Sequence, residues 1–297
     1  MFDILIGNLL SPIVLFFVLG LSAALLKSDL KIPSGLSEAL SIYLLIAIGL
    51  KGGIELTNYS LSTLARPMTG ALLLGTMIPV AVVLVLRKLL RMDLNNAVAL
   101  AATYGSVSVV TYGAAISYLE KQSIGYDGYM NALLVMMESP AIVVSLLLLR
   151  LAANKGSRSE RTSLSLGFVQ AVPRRPLLNK ELLKESLFGK SVLLLLGSLL
   201  IGLAAGEPGY KAVKPLFVDL YPSVLMLFLL NMGIIAGSRL PEIGRYGIKL
   251  FLFAVMMPLL GGASGVWIGS AIGLSVGSAA LMGVLAGSAS YIAAPAA

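Results

Sequence analysis

Between Ser191 and Ala205 the chain runs fifteen residues without a charge, and comparable apolar stretches recur along its length. That feature decides the solvent. A water-soluble fold must cover its surface with polar and charged groups, yet 58% of the 297 residues are apolar and only 12% charged. An average soluble domain has roughly 45–50% and 25%. The chain therefore belongs in a bilayer, as an all-α integral membrane protein. A spanning helix needs about 20 mostly apolar residues, because the hydrocarbon core is about 30 Å thick and each residue rises about 1.5 Å. Nine stretches qualify: residues 9–26, 36–54, 67–89, 95–118, 128–150, 187–206, 215–237, 247–269 and 274–296. The first is read as a retained helix, since Asp3 stands where a signal peptide carries its basic region and Leu25-Leu26-Lys27 makes a poor cleavage site.

Charge sets the orientation. Residues 150–190 carry nine Lys or Arg against Glu160, Glu181 and Glu185, which is +6 of the net +8. Basic connections stay in the cytoplasm. Placing this one inside also places inside the loops holding Lys27 and Lys31, Arg87, Lys88 and Arg91, and Arg239, Arg245 and Lys249. The tally is 17 basic residues inside and 5 outside. A multi-pass protein of the cell (plasma) membrane with its N-terminus outside is expected. The long loop reads as a solvated linker with an affinity for anionic membrane lipids.

Whole classes of chemistry drop out. With no cysteine and no histidine, there is no disulfide frame, no thiolate or imidazole metal site, and no histidine to activate a serine. A membrane enzyme would have to rely on a serine and the distant Lys51, so the protein is expected not to be an enzyme. No cofactor is expected beyond a transported ion, and no nucleic acid as partner. Without a GxxxxGK[ST] sequence, energy should come from an ion gradient rather than ATP.

The chain also repeats itself at an offset of about 182 residues. Gly20-Leu21-Ser22-Ala23-Ala24 falls on Gly202-Leu203-Ala204-Ala205-Gly206, and Gly105-Ser106-Val107-Ser108 on Gly287-Ser288-Ala289-Ser290. Met77-Ile78-Pro79 falls on Met256-Met257-Pro258 at 179, and Gly49, Gly53 and Leu56 on Gly233, Gly237 and Leu240 at 184. An odd number of spans per unit makes the repeat an inverted one. The expected organisation is a first five-helix repeat at 1–152, a basic cytoplasmic linker at 153–186, and a second, inverted repeat at 187–297. That second repeat holds four of five helices, the last helix missing from this chain.

The fourth span of each unit carries a polar, glycine-bearing stretch at mid-membrane. Glycine costs about 1 kcal/mol in a helix interior and clustered serines compete for the backbone, so both helices are expected to break there. Broken backbone persists in a bilayer only where protein or a watery site satisfies it. Two such breaks meeting near the midplane would offer amide ends to an anion and carbonyl ends to a cation. The plainer alternative is that Gly and Ser merely allow close helix packing. Candidate ligands in the first break are Gly105, Ser106, Val107, Ser108 and Thr111, and in the second Gly287, Ser288, Ala289 and Ser290. Glu138 lies near the middle of the fifth span, where an acid costs about 2.5–3.5 kcal/mol on insertion scales. It reads as a Na⁺ ligand, a proton carrier, or a structural partner of Lys51 or the serines. Asn131 and Asn231 are weaker candidates, because an amide can simply bond a neighbouring helix. Pro79 and Pro258 suggest kinks, and Gly261, Gly262 and Gly265 a packing surface.

Several of these segments together resemble the sodium-dependent bicarbonate transporter family known from cyanobacteria. They are Leu10-Ser11-Pro12, Lys31-Ile32-Pro33, Ile48-Gly49-Leu50-Lys51-Gly52-Gly53, Glu138-Ser139-Pro140-Ala141 and the final Gly-Ser-x-Ser run. The resemblance implies two inverted five-helix units divided into core and gate domains, usually assembled as a homotrimer. It implies symport of bicarbonate with Na⁺, and a trimeric PII-like regulatory protein on the cytoplasmic face. The expected function is thus sodium-coupled symport of a small anion, bicarbonate by analogy. Alternatives are a Na⁺/H⁺ antiporter with Glu138 titrating, a sodium-coupled organic-anion carrier of the same plan, or a sensor that binds without flux.

Overall fold

The computed structural model describes residues 10–160 and 189–290. Most of the expected linker, and Tyr291 and Pro295 after the last Gly-Ser run, lie outside the described residues. The described residues are 83% helical, with no strand among them. Ten α-helices follow one another among the described residues: α1 Pro12–Leu25, α2 Ser34–Leu56, α3 Leu61–Lys88, α4 Leu94–Gly105, α5 Val109–Lys121, α6 Met130–Glu160, α7 Lys190–Lys214, α8 Tyr221–Arg239, α9 Ile243–Ala271 and α10 Val276–Gly287.

Among the described residues, five segments are long and apolar enough to cross a membrane: Ser34–Leu56, Leu61–Lys88, Leu94–Lys121, Lys190–Arg239 and Gly247–Ala271. The fourth, 50 residues long, holds two of the expected spans. Pro12–Leu25, Met130–Ser145 and Val276–Gly287 are shorter apolar helices. This is a multi-pass membrane protein. Unforeseen in the sequence is the path after α7's bilayer portion: at Gly206 the backbone turns (φ 53°, ψ −156°), helix resumes to Lys214, and a π-helical turn leads into α8. Only glycine adopts that conformation without strain. Gly247, with φ 75°, interrupts the start of α9 in the same way.

Packing follows small residues. The most extensive contacts are α2 with α7, α1 with α8, and α9 with α10. Gly20 on α1 lies so close to the Leu230 carbonyl of α8 that a methyl group would overlap it, and Gly202 on α7 stands in the same relation to the Leu50 carbonyl of α2. Gly233 meets Phe17 and Leu21, while Gly53 meets Leu199 and Leu203. Each contact has a counterpart about 182 residues away, with the partners exchanged. One detail differs from the sequence alignment. These contacts pair Gly53 with Gly233, an offset of 180, where the glycine pattern suggested 184. The reason is periodicity: glycines four apart (Gly49 and Gly53, Gly233 and Gly237) superpose again when slid by one helical turn.

The helix starts match too. Asp93 caps α4, its carboxylate accepting the Asn96 amide at 3.0 Å, and Ser275 caps α10, accepting the Ser278 amide at 3.3 Å. The Asn96 amide also holds the Asp93 carboxyl below its ordinary pKa. Just before these caps, Arg91 (φ 53°) and Gly273 (φ 82°) make the same left-handed turn.

Candidate functional site

Both α4 and α10 contain 12 residues and stop at a glycine, and the serine that follows is extended: Ser106 has φ −82°, ψ 160°, and Ser288 φ −87°, ψ 164°. The glycines are seated against prolines of the preceding long helix. A methyl group on Gly105 would overlap the Pro79 ring and come within 3.0 Å of Ala141 Cβ; one on Gly287 would lie 2.6 Å from the Pro258 carbonyl. Those contacts hold each helix end in place. Pro79 and Pro258 themselves sit within α3 and α9, which run on as helix through them.

After Gly105 the chain crosses Ser106, Val107 and Ser108 in extended form and re-enters helix at Val109. The Ser108 hydroxyl caps α5, accepting the Thr111 amide at 3.1 Å and the Thr111 hydroxyl at 2.9 Å. The second glycine-serine run meets the first directly. The Ser108 amide donates to Ser288 Oγ at 3.0 Å, and the Ser290 amide donates to the Thr103 carbonyl at 2.8 Å. Ser288 Oγ in turn donates to the Leu285 carbonyl at 3.0 Å. The carbonyls of Thr103 and Leu285 belong to the last turns of α4 and α10, which have no partner inside the helix.

Ser106, Ser108, Ser288 and Ser290 are all buried, between 0 and 5% exposed, as is Val107 at 1%. Gly287 and Ala289 are partly exposed, and Thr111 is exposed at the first turn of α5. Glu138, on α6, is 2% exposed. Ser106 Oγ and Glu138 Oε2 are both buried with no hydrogen-bond partner among the described residues. Such groups cost free energy unless something coordinates them.

The two glycine-serine runs are thus joined directly, Ser108 to Ser288 and Ser290 to Thr103, with Thr111 linked through Ser108. Two helix C-termini bring carbonyl ends, with about half a negative charge each, toward one buried space, and the N-terminus of α5 brings an amide end of opposite sign. Hydroxyls and a carboxyl sit among them. A cation is favoured at the carbonyl ends and an anion at the amide end.

Two other candidates play structural parts. Asn231 donates its amide to Ser37 Oγ at 2.6 Å, a bond between helices. Gly261 and Gly265 pack on the α10 backbone at Ala286 and Met282. Sequence reading missed Asp127, whose carboxylate accepts the hydroxyls of Ser278 at 2.7 Å, Tyr129 at 3.1 Å and Ser275 at 3.2 Å, tying the start of α10 to the loop before α6. The only available signal was the Ser275-x-x-Ser278 cap, which says nothing of its distant partner.

Comparison with protein-family models identifies the family. Residues 12–297 match the Na⁺-dependent bicarbonate transporter superfamily. A search of curated proteins finds no match. The match spans nearly the whole chain, and the protein belongs to that superfamily.

Proposed function

We propose that this superfamily member is a secondary transporter that carries a small anion, bicarbonate, inward across the plasma membrane together with Na⁺. The carrying observation is the direct contact of the two glycine-serine runs, Ser108 amide to Ser288 hydroxyl. Because the runs share one buried space, ligands of both signs act on the same backbone. Na⁺ sits at the carbonyl ends of α4 and α10 with Ser106 and Glu138, and the anion at the amide end of α5. Each neutralises the charge that would make the other costly to bury.

In this reading α1, α2, α7 and α8 form the gate, and α3 to α6 with α9 and α10 form the moving core. The exchanged-partner packing of α1 with α8 and α2 with α7 supports an inverted repeat, and the basic loops support an external N-terminus. Coupling follows from differential binding: only the fully loaded core is neutral enough to cross. The test is uptake of labelled bicarbonate into proteoliposomes with and without an inward Na⁺ gradient. Uptake should rise with the gradient; indifference to Na⁺ would overturn the reading.

A further inference from the structure

A small cavity with several polar groups in its lining lies away from the crossing point. It measures about 80 Å³ and is bounded by α2, α5, α6 and the turn before α8, with Lys51, Ser117, Glu120, Asn131, Phe217 and Tyr221 in its lining. Ser117 is nine residues beyond Ser108, so at about 1.5 Å per residue the cavity is displaced by roughly 13 Å along α5, toward the loop that follows it.

Two features mark it as a built site. Lys51 is half-buried, and among the described residues no carboxylate lies within ion-pairing distance of its ammonium. Asn131 is 1% exposed; its amide nitrogen donates to the Gly128 carbonyl at 3.1 Å, which fixes the orientation of the group and leaves Oδ1 buried with no partner among the described residues. A methyl group on Gly52, next to Lys51, would come within 3.1 Å of the Asn131 backbone, so α2 packs closely on α6 here, and Lys51 and Asn131 line the same cavity.

A ligand that satisfies both must present a negative oxygen to Lys51 and a hydrogen-bond donor to Asn131. Halide and nitrate carry no donor. Hydrogen carbonate carries one oxyanion and one hydroxyl. Glu120, the exposed member of the lining, is already engaged by the Tyr126 hydroxyl at 3.0 Å, and its charge disfavours dianions such as carbonate or sulfate. We infer that the cavity is a staging site that selects hydrogen carbonate before it reaches the buried crossing point. The choice of occupant rests on the bicarbonate reading above, whereas the site stands on its own geometry.

The test is labelling of Lys51 by an amine-reactive ester in wild-type proteoliposomes free of Na⁺, read by mass spectrometry of the Lys51 peptide. Potassium bicarbonate, nitrate and chloride are compared at matched pH and ionic strength. Bicarbonate should slow labelling severalfold relative to chloride, and nitrate should not. Equal labelling in all three salts, or equal protection by nitrate, overturns the inference. In Asn131→Leu the advantage of bicarbonate over nitrate should vanish, and its persistence would also overturn it. Failure here is separable from failure of the transport reading: protection without uptake removes the symport and keeps the site, while normal uptake without protection does the reverse.

Discussion

The backbone amide of Ser108 and the hydroxyl of Ser288 meet at 3.0 Å, joining residues 180 apart in the chain. That bond couples the start of α5 to the residue that follows α10, so what happens at one is felt at the other.

Replacing Ser288 by alanine leaves the buried Ser108 amide without its acceptor, a loss of about 1–3 kcal/mol. Ser288→Ala is expected to raise the half-saturating Na⁺ concentration by about tenfold or more, whereas Ser288→Thr keeps the hydroxyl and should stay close to wild type. Uptake measured across a Na⁺ series decides it. Unchanged Na⁺ dependence in the alanine variant would make the bond incidental to transport.

Ser106 Oγ and Glu138 Oε2 are buried side-chain atoms with no hydrogen-bond partner among the described residues. Glu138→Gln keeps the shape and removes the charge, so the protein should fold, yet lose most Na⁺-stimulated uptake. A glutamine variant with normal Na⁺ stimulation would limit Glu138 to a structural part.

The helix contacts at Gly20 and Gly202 have no room for a side chain, since the neighbouring atoms are backbone. Gly20→Val and Gly202→Val should therefore destabilise the protein to a similar extent, by at least the 1–3 kcal/mol typical of overpacking. Gly197, inside α7, has open space around it. Gly197→Ala should be stabilising by about 0.5–1 kcal/mol through helix propensity. Thermal unfolding in detergent gives all three, and a loss for Gly20→Val without one for Gly202→Val would break the equivalence.

Asp93 caps α4 outside the bilayer, and its carboxyl has a lowered pKa, chiefly through the Asn96 amide. A depressed native pKa means stabilisation that is present above the unfolded value of about 3.9 and fades as pH falls through the lower native one. Asp93→Ala should lower the unfolding temperature at neutral pH, and the difference from wild type should shrink below about pH 4. A difference independent of pH would show that the cap acts without its charge.

Much of this was legible in the residues. Apolar length located most of the helices, because the bilayer imposes it. The break at Ser106-Val107-Ser108 was legible because glycine and clustered serines weaken a helix locally, and the same run at Gly287 marked the end of α10. What depends on distant contacts was not. The register between α2 and α8 was misread by one turn, since a four-residue glycine spacing matches itself when shifted. Lys51 was a possible partner for Glu138 by charge alone, and only the packing of Gly52 on Asn131 shows that it faces a different cavity. Asp127 gave no sign in sequence of its reach to Ser275 and Ser278.

The exchanged-partner packing of α2 with α7 also carries a cost in time. Gly53 must wait for Leu199, about 150 residues further along, before its close contact can form. At about 5–20 residues per second of synthesis, that is on the order of ten seconds or more. Through that interval the small-residue face of α2 is open to lipid or to a neighbouring copy. Neither half can complete the α1–α8 and α2–α7 pairs alone, so a ribosome stalled before α7 would leave a membrane-inserted fragment with unfilled seams.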